Sequence, residues 1–208
     1  MTRTGTGHES AAPIVVAAAL GISADALELE KDGYGRPVIS APATDLRFSV
    51  AHSCGLTLIA LAIEAEVGVD VECFNRDVTD WMMWEQTLTR DEISHLPADR
   101  TVRNATLLRH WVRREALLKA AGVGVAIEPR SIELSVHGRI AALPRALAPA
   151  ASWSLHDVAI PGYAAAIACR PGVAIVEVGG DVCAALLGEG SHGAPGVGDH
   201  QGPGSMHS

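Results

Sequence analysis

Two short stretches hold most of the chemistry available to this chain. One is Gly68-Val69-Asp70-Val71-Glu72; the other, about forty residues later, is Trp111-Val112-Arg113-Arg114-Glu115-Ala116-Leu117-Leu118-Lys119. Together they supply three carboxylates and a lysine where a folded domain ordinarily places apolar groups. Carboxylates are rarely set against a core unless a cation or a proton transfer offsets their desolvation. On an extended strand Gly68, Asp70 and Glu72 share one face, with Val67, Val69 and Val71 on the other. Asp70 and Glu72 then stand about 6.6 Å apart along the strand, so their carboxylates can converge on one hard cation. Gly68 leaves room beside them for a ligand. The plainer reading is the exposed face of a half-buried strand.

At roughly 100° per residue, Leu108, Trp111, Val112, Glu115, Leu118 and Lys119 fall on one broad helical face. Glu115 lies inside the apolar stripe, and Lys119 follows at i+4 in the favourable order. A surface ion pair is the plain alternative, but this pair shares its face with tryptophan and leucine. Arg113 and Arg114 project elsewhere and are expected to be solvated. The strand and helix together point to a magnesium-dependent site acting on a phosphorylated substrate. Two lesser features add anion contacts. Arg36 sits on the stiff Gly35-Arg36-Pro37 turn, a phosphate clamp in form. His52-Ser53, at a break before a strand, offers imidazole, hydroxyl and backbone donors. Taken alone, each reads equally as a solvated arginine or a structural histidine.

The elements that must position these groups follow from pattern. Ala11 to Gly21 reads as a short helix closed by glycine, and residues 32–37 as a loop. Leu46 to Val50 is a brief strand. Leu56 to Ile63 and Val67 to Glu72 form an antiparallel hairpin around Glu64-Ala65-Glu66. Trp81 to Leu88 is a helix, Thr89 to Glu92 a capping box, and Thr101 to Ala121 a long helix stopped at Gly122. Further strands are expected near residues 131–136, 151–155 and 163–169. From Gly188 onward the chain has no apolar periodicity and is expected to be disordered.

The 208 residues, 48% hydrophobic and 19% charged, suit a globular protein of one domain or two small ones. A net charge of -8 argues against a general cationic surface for nucleic acid. Cys54, Cys73, Cys169 and Cys183 form no Cys-x-x-Cys pair and are expected to be reduced thiols of a cytoplasmic protein. The polar start gives no secretory signal, and no apolar run nears the ~20 residues that span a bilayer, so no membrane association is expected.

In order, Gly35-Arg36-Pro37, Phe48-Ser49-Val50-Ala51-His52-Ser53, Gly68 to Glu72 and Trp111 to Lys119 resemble the motifs of the phosphopantetheinyl transferase superfamily. The likeness is to its monomeric, two-lobed, surfactin-synthetase-activating type. The resemblance covers about residues 33–124, and Gly162 to Cys169 fits the family's late strand. It implies an α/β (α+β) fold of two pseudo-symmetric lobes, each a small, mainly antiparallel sheet packed against a long helix. The lobes would be residues 1–72, shortened relative to the family, and 73–187, with 188–208 a tail. It also implies transfer of the phosphopantetheine arm of coenzyme A to a serine of an apo acyl or peptidyl carrier protein, releasing adenosine 3',5'-bisphosphate. Asp70, Glu72 and Glu115 match the family's Mg2+ ligands, with Mn2+ also suited. Glu115 matches the residue that accepts the serine proton, and Lys119 the one that holds the pyrophosphate. Arg36 and His52, helped by Ser53, match the grip on the coenzyme A 3'-phosphate. The chain departs from the motifs at Arg36 and Arg114 (lysines in the family), at Ser49 and Ala51 (asparagine and serine), and at Val112 (small and polar). The alternatives are a non-catalytic module that binds coenzyme A or a carrier protein, and a magnesium-dependent phosphohydrolase.

Overall fold

The computed structural model describes residues 11–76, 78, 81–135 and 137–177. The chain divides into a unit of residues 1–176 and another of 177–208, and every element below lies in the first. The expectations for residues 1–10 and 188–208, and for Cys183, lie outside the described residues.

The first helix, α1 (Ala11–Leu20), ends as expected at Gly21, whose φ of 68° is the left-handed conformation glycine adopts without strain. Strands β1 (Glu28–Lys31) and β2 (Pro37–Ala41) form a hairpin around the Asp32–Arg36 loop. Strand β3 (Leu46–Ser53) pairs antiparallel with β4 (Leu56–Ile63) through Cys54-Gly55, both at positive φ, a two-residue turn that matches strand twist. Strand β5 (Val67–Cys73) then enters a different sheet. The expected hairpin between residues 56–63 and 67–72 is therefore not formed. Glu64 takes a φ of 54° and returns its N–H to the Asp45 carbonyl, so the chain leaves β4 sideways instead of folding back on it.

Short helices α2 (Trp81–Thr87) and α3 (Arg90–Ser94) precede the long α4 (Arg100–Ala121). After α4 come the small β6 (Glu133–Leu134) and β7 (Ile140–Ala142) pair, β8 (Ser154–Asp157) and β9 (Tyr163–Cys169). A three-stranded antiparallel sheet runs β5-β9-β8, with Val67 opposite Cys169 and Cys73 opposite Tyr163. The expected mixture of small antiparallel sheets and a long helix is what the protein has.

Strand β5 is buried on both faces. Val67, Val69 and Val71 pack with Ala51, Ala60 and Ala165. The opposite face meets α4, and Gly68 carries that contact: a Cβ placed there would sit 2.1 Å from the Ala116 carbonyl oxygen and 2.3 Å from the Ala120 nitrogen. The space beside Gly68 thus belongs to the helix backbone, not to a ligand. Helix α4 starts with the Asp99 carboxylate accepting the Val102 N–H at 2.9 Å and stops at left-handed Gly122, as expected.

A single apolar stripe does not describe α4, which is buried on nearly every side. Arg114, expected in solvent, is 0% exposed. Its Nη2 donates to both Glu92 carboxylate oxygens at 2.7 and 2.6 Å, its Nη1 to the His110 carbonyl at 3.3 Å, and its Nε to the Pro129 carbonyl at 3.1 Å. Glu92 also closes the expected capping box, its Oε2 accepting the Thr89 N–H at 2.8 Å. A buried guanidinium is tolerable when its fork is filled in this way. Arg113, likewise expected in solvent, is held by both Asp157 oxygens at 2.8 and 2.6 Å.

Reduced thiols at Cys54 and Cys73 are also corrected: the two form a disulfide, their Cα atoms 6.1 Å apart. The absence of a Cys-x-x-Cys motif carried no information here. The β3–β4 turn folds over the end of β5 and brings together residues 19 apart in sequence. Cys169 is free and buried. Among the described residues no helix is long and apolar enough to cross a membrane.

Gly68→Ala is expected to lower stability by about 3 kcal/mol through overpacking against helix backbone, read as a fall of roughly 10 °C in melting temperature; an unchanged melt would refute the close approach. His110 is held down to about 4 by burial and then by the Arg114 charge. Its contribution is therefore full above about 6.5 and lost as pH falls toward 4. Urea melts of His110→Gln should lose less stability than wild type across that interval, and parallel pH profiles would discount the effect.

Candidate functional site

Lys119 stands at the centre of the candidate site. Its Nζ donates to Asp70 Oδ1 at 2.7 Å, to the Val69 carbonyl at 3.1 Å and to the Val50 carbonyl at 3.4 Å. Three ammonium hydrogens thus meet three oxygens, drawn from two sheets and carried by the C-terminal part of α4. Asp70 Oδ2, by contrast, is buried with no hydrogen-bond partner. Burial pushes the Asp70 carboxyl above its ordinary range; Lys119 pulls it back, and Glu72 adds to the rise. Glu115 is raised too, first by burial and then by the Asp70 charge, with Lys119 opposing and Glu72 contributing. Asp70 and Glu72 thus both act on Glu115, the residue that the resemblance sets beside them.

A cavity of about 860 Å³ opens beside Glu115, with Asp70 and Glu72 outside its lining. Arg36, Glu115 and Lys119 line it with Tyr34, Phe48 and Trp111, so cationic and aromatic groups face the same space. Arg36 is placed by its own loop: Asp32 Oδ1 accepts the Tyr34 and Arg36 N–H groups, while Asp32 Oδ2 holds Arg36 Nε at 3.1 Å. Arg36 Nη1 also pairs with Glu66 at 3.2 Å. Glycine at 122 lets the guanidinium lie against the end of α4, since a Cβ there would come within 3.0 Å of Arg36 Cζ.

The other predicted anion contacts lie elsewhere. His52 is exposed near the end of β3, two positions beyond Val50 on the same strand face, and outside the cavity lining. Ser53 turns toward β5: its hydroxyl donates to Glu72 Oε2 at 3.0 Å and accepts the Cys73 N–H at 3.1 Å. Glu72 Oε1 is paired with Arg76. Sequence reasoning singled out neither Arg76 nor the disulfide. Arg76 stands four residues beyond Glu72 in a turn, where no periodicity marks it.

Residues 66–168, close to half the chain, match the family model described as the 4'-phosphopantetheinyl transferase superfamily. The chain resembles that superfamily over this stretch. It is 28% identical over 142 residues to the L-aminoadipate-semialdehyde dehydrogenase-phosphopantetheinyl transferase of Rattus norvegicus, covering 59% of this chain and 43% of the relative. The same protein of Mus musculus is 24% identical over 133 residues, with the same coverage. The 4'-phosphopantetheinyl transferase HetI of Nostoc sp. is 26% identical over 149 residues, covering 67% of this chain and 58% of the relative. The chain thus spans about half the length of these curated relatives.

The site's donors suit a metal of the kind this superfamily implies. They are all oxygens, the chemistry a hard divalent cation requires, and the orphaned Asp70 Oδ2 is a buried acceptor awaiting a positive partner. Among the described residues no three acidic, histidine or cysteine groups form a preassembled cluster. Lys119 and Arg76 instead supply the positive charge to Asp70 and Glu72. Glu115 ionises against that arrangement. Because its folded pKa lies above the ordinary 4.5, the stability it contributes at low pH is lost as pH rises. Metal-free Glu115→Gln should therefore melt at least about 3 °C above metal-free wild type at pH 8; a lower melting temperature for the variant would contradict the crowding of charge.

Proposed function

We propose that this protein transfers the 4'-phosphopantetheine arm of coenzyme A to a serine hydroxyl of an apo acyl or peptidyl carrier protein, releasing adenosine 3',5'-bisphosphate. The observation that carries the reading is one cavity lined by Arg36, Glu115 and Lys119, with the orphaned Asp70 oxygen beside Lys119. The match to the superfamily model and the names of the relatives support it.

In this reading Asp70, Glu72 and Glu115 would hold Mg2+ or Mn2+, which supplies charge neutralisation for the pyrophosphate when bound. The aromatic wall of Tyr34, Phe48 and Trp111 receives the nucleoside end, and Arg36 faces its phosphate. The serine oxygen forms a bond to the phosphorus bearing pantetheine while the bond to the bridging pyrophosphate oxygen breaks. Glu115, its proton affinity raised by burial and by Asp70, takes the serine proton at its carboxylate. Lys119, fixed by the Val50 and Val69 carbonyls, presents its remaining charge to the departing phosphate oxygen. The protein acts as a cytoplasmic, monomeric, two-lobed enzyme of the surfactin-synthetase-activating type, the first lobe ending near Glu72.

One observation favours a second reading. Ala51 stands where the superfamily motif has a serine hydroxyl, which suits a module that binds coenzyme A or a carrier without transfer. Incubation with coenzyme A, Mg2+ and a panel of apo carrier proteins, read by intact carrier mass, separates the two. A gain of one phosphopantetheine arm, abolished by chelation and by Asp70→Ala or Glu115→Gln, is the expected result. Coenzyme A binding with no mass gain on any carrier would establish the binding module instead.

A further inference from the structure

The β3–β4 turn is fastened to the end of β5 at the residue that carries one candidate metal carboxylate. Strands β3 and β5 lie side by side but belong to different sheets, and among the described residues no backbone ladder joins them. Two serine hydroxyls span the seam instead: Ser49 Oγ accepts the Val69 N–H at 3.1 Å, and Ser53 Oγ accepts the Cys73 N–H at 3.1 Å. Beyond Ser53 the turn is secured twice more. Cys54 is covalently joined to Cys73, and its carbonyl accepts the Tyr163 hydroxyl at 3.0 Å. Tyr163 sits directly opposite Cys73 on β9, so turn, β5 and β9 are tied at one level.

That level is where Glu72 is oriented. Ser53 spends its hydroxyl proton on Glu72 Oε2, while Arg76 holds the other oxygen. The serine therefore fixes the direction of the carboxylate, and without it Arg76 is the neighbour left to direct Glu72. A guanidinium holding both carboxylate oxygens competes with any cation that needs them.

We propose that Ser53 is a positioning residue for Glu72, not a phosphate contact, and that the Cys54–Cys73 disulfide keeps it in place, so that divalent-cation affinity depends on the oxidation state of this pair. The inference rests on the metal reading of the preceding section. Reduction is a two-electron step. A dithiol gives two electrons and two protons to the Sγ–Sγ bond, which breaks to two thiols, and the dithiol closes to its cyclic disulfide. The turn then keeps only its hydrogen bonds to β5 and Tyr163.

The test uses Mn2+ alone, its free concentration followed by electron paramagnetic resonance, with neither coenzyme A nor carrier present. Wild type is titrated as the disulfide, confirmed by peptide mapping after alkylation, and again after dithiothreitol reduction and anaerobic desalting. Reduced wild type and oxidised Ser53→Ala should each bind Mn2+ about tenfold more weakly than oxidised wild type, the usual size of an outer-shell loss. Ser53→Thr, which keeps the hydroxyl, should restore oxidised affinity, and Cys54→Ser should bind weakly whether or not it has been treated with reductant. Circular dichroism confirms that each variant is folded, and the reduced wild type needs no substitution at all. Equal affinity of oxidised wild type, reduced wild type and Ser53→Ala would overturn the inference while leaving the metal reading intact. No Mn2+ binding by oxidised wild type would overturn the metal reading and this inference with it. Free thiols at Cys54 and Cys73 in the protein purified without reductant would overturn the redox dependence.

Discussion

The backbone-to-backbone approach of α4 and β5 at Gly68 is the constraint on which the site depends. A side chain at that position would push the helix away from the strand, since even a methyl group would overlap the Ala116 carbonyl. With hydrogen there instead, the helix comes down onto the strand face that carries Asp70 and Glu72. Glu115 and Lys119, near the C-terminal end of the same helix, are delivered to the same depth. Burial of Asp70, the reach of Lys119 to two sheets and the mutual repulsion of the carboxylates all follow from that one short distance.

Charge inside this fold is managed in two different ways. Around Arg114 every donor direction that matters is filled: Glu92 takes two hydrogen bonds, and the His110 and Pro129 carbonyls take others. Such a closed arrangement fixes where α3, α4 and the turn at residues 129–131 sit, and it has nothing left to offer a ligand. Around Asp70 the account stays open. One oxygen is met by Lys119 and the other by nothing, so the carboxyl drifts toward its protonated form. Closed networks belong to scaffolds, whereas an orphaned buried acceptor beside a cavity belongs to chemistry. The contrast lies between Arg114 on α4 and Asp70 on β5, the strand against which that helix packs.

Much of this could be read from the chain because some signals are local. Gly122 stops α4, the Thr89–Glu92 box caps α3, and alternation along Val67 to Glu72 separates the carboxylate face from the valine face. What could not be read depends on partners distant in sequence. The stripe on α4 assumes one buried face, but the 129–131 turn and α3 cover Arg114, and Asp157 on β8 holds Arg113. Cys54-Gly55, just after the break at His52-Ser53, carries no turn signal in the sequence, because a two-residue hairpin turn is defined by φ at both positions and cysteine is an unusual occupant. With that turn unmarked, β4 reads as the partner of β5 in place of β3, its partner in the structure. The disulfide and the Ser53–Glu72 bond were hidden by the same error, since both arise from where the turn lands.

The seam between β3 and β5 has an evolutionary consequence. Strands joined by a ladder must keep their register, because a slip of one residue turns every side chain to the opposite face. Here the join consists of two serine hydroxyls, a lysine reaching two carbonyls and the Cys54–Cys73 disulfide, which tie the strands at separate points and not through a continuous ladder. Residues can be gained or lost upstream of β3 without sliding Asp70 and Glu72 out of phase with α4. The first part of such a protein is therefore free to diverge in length and sequence, while the strand and helix that carry the carboxylates must change together or not at all.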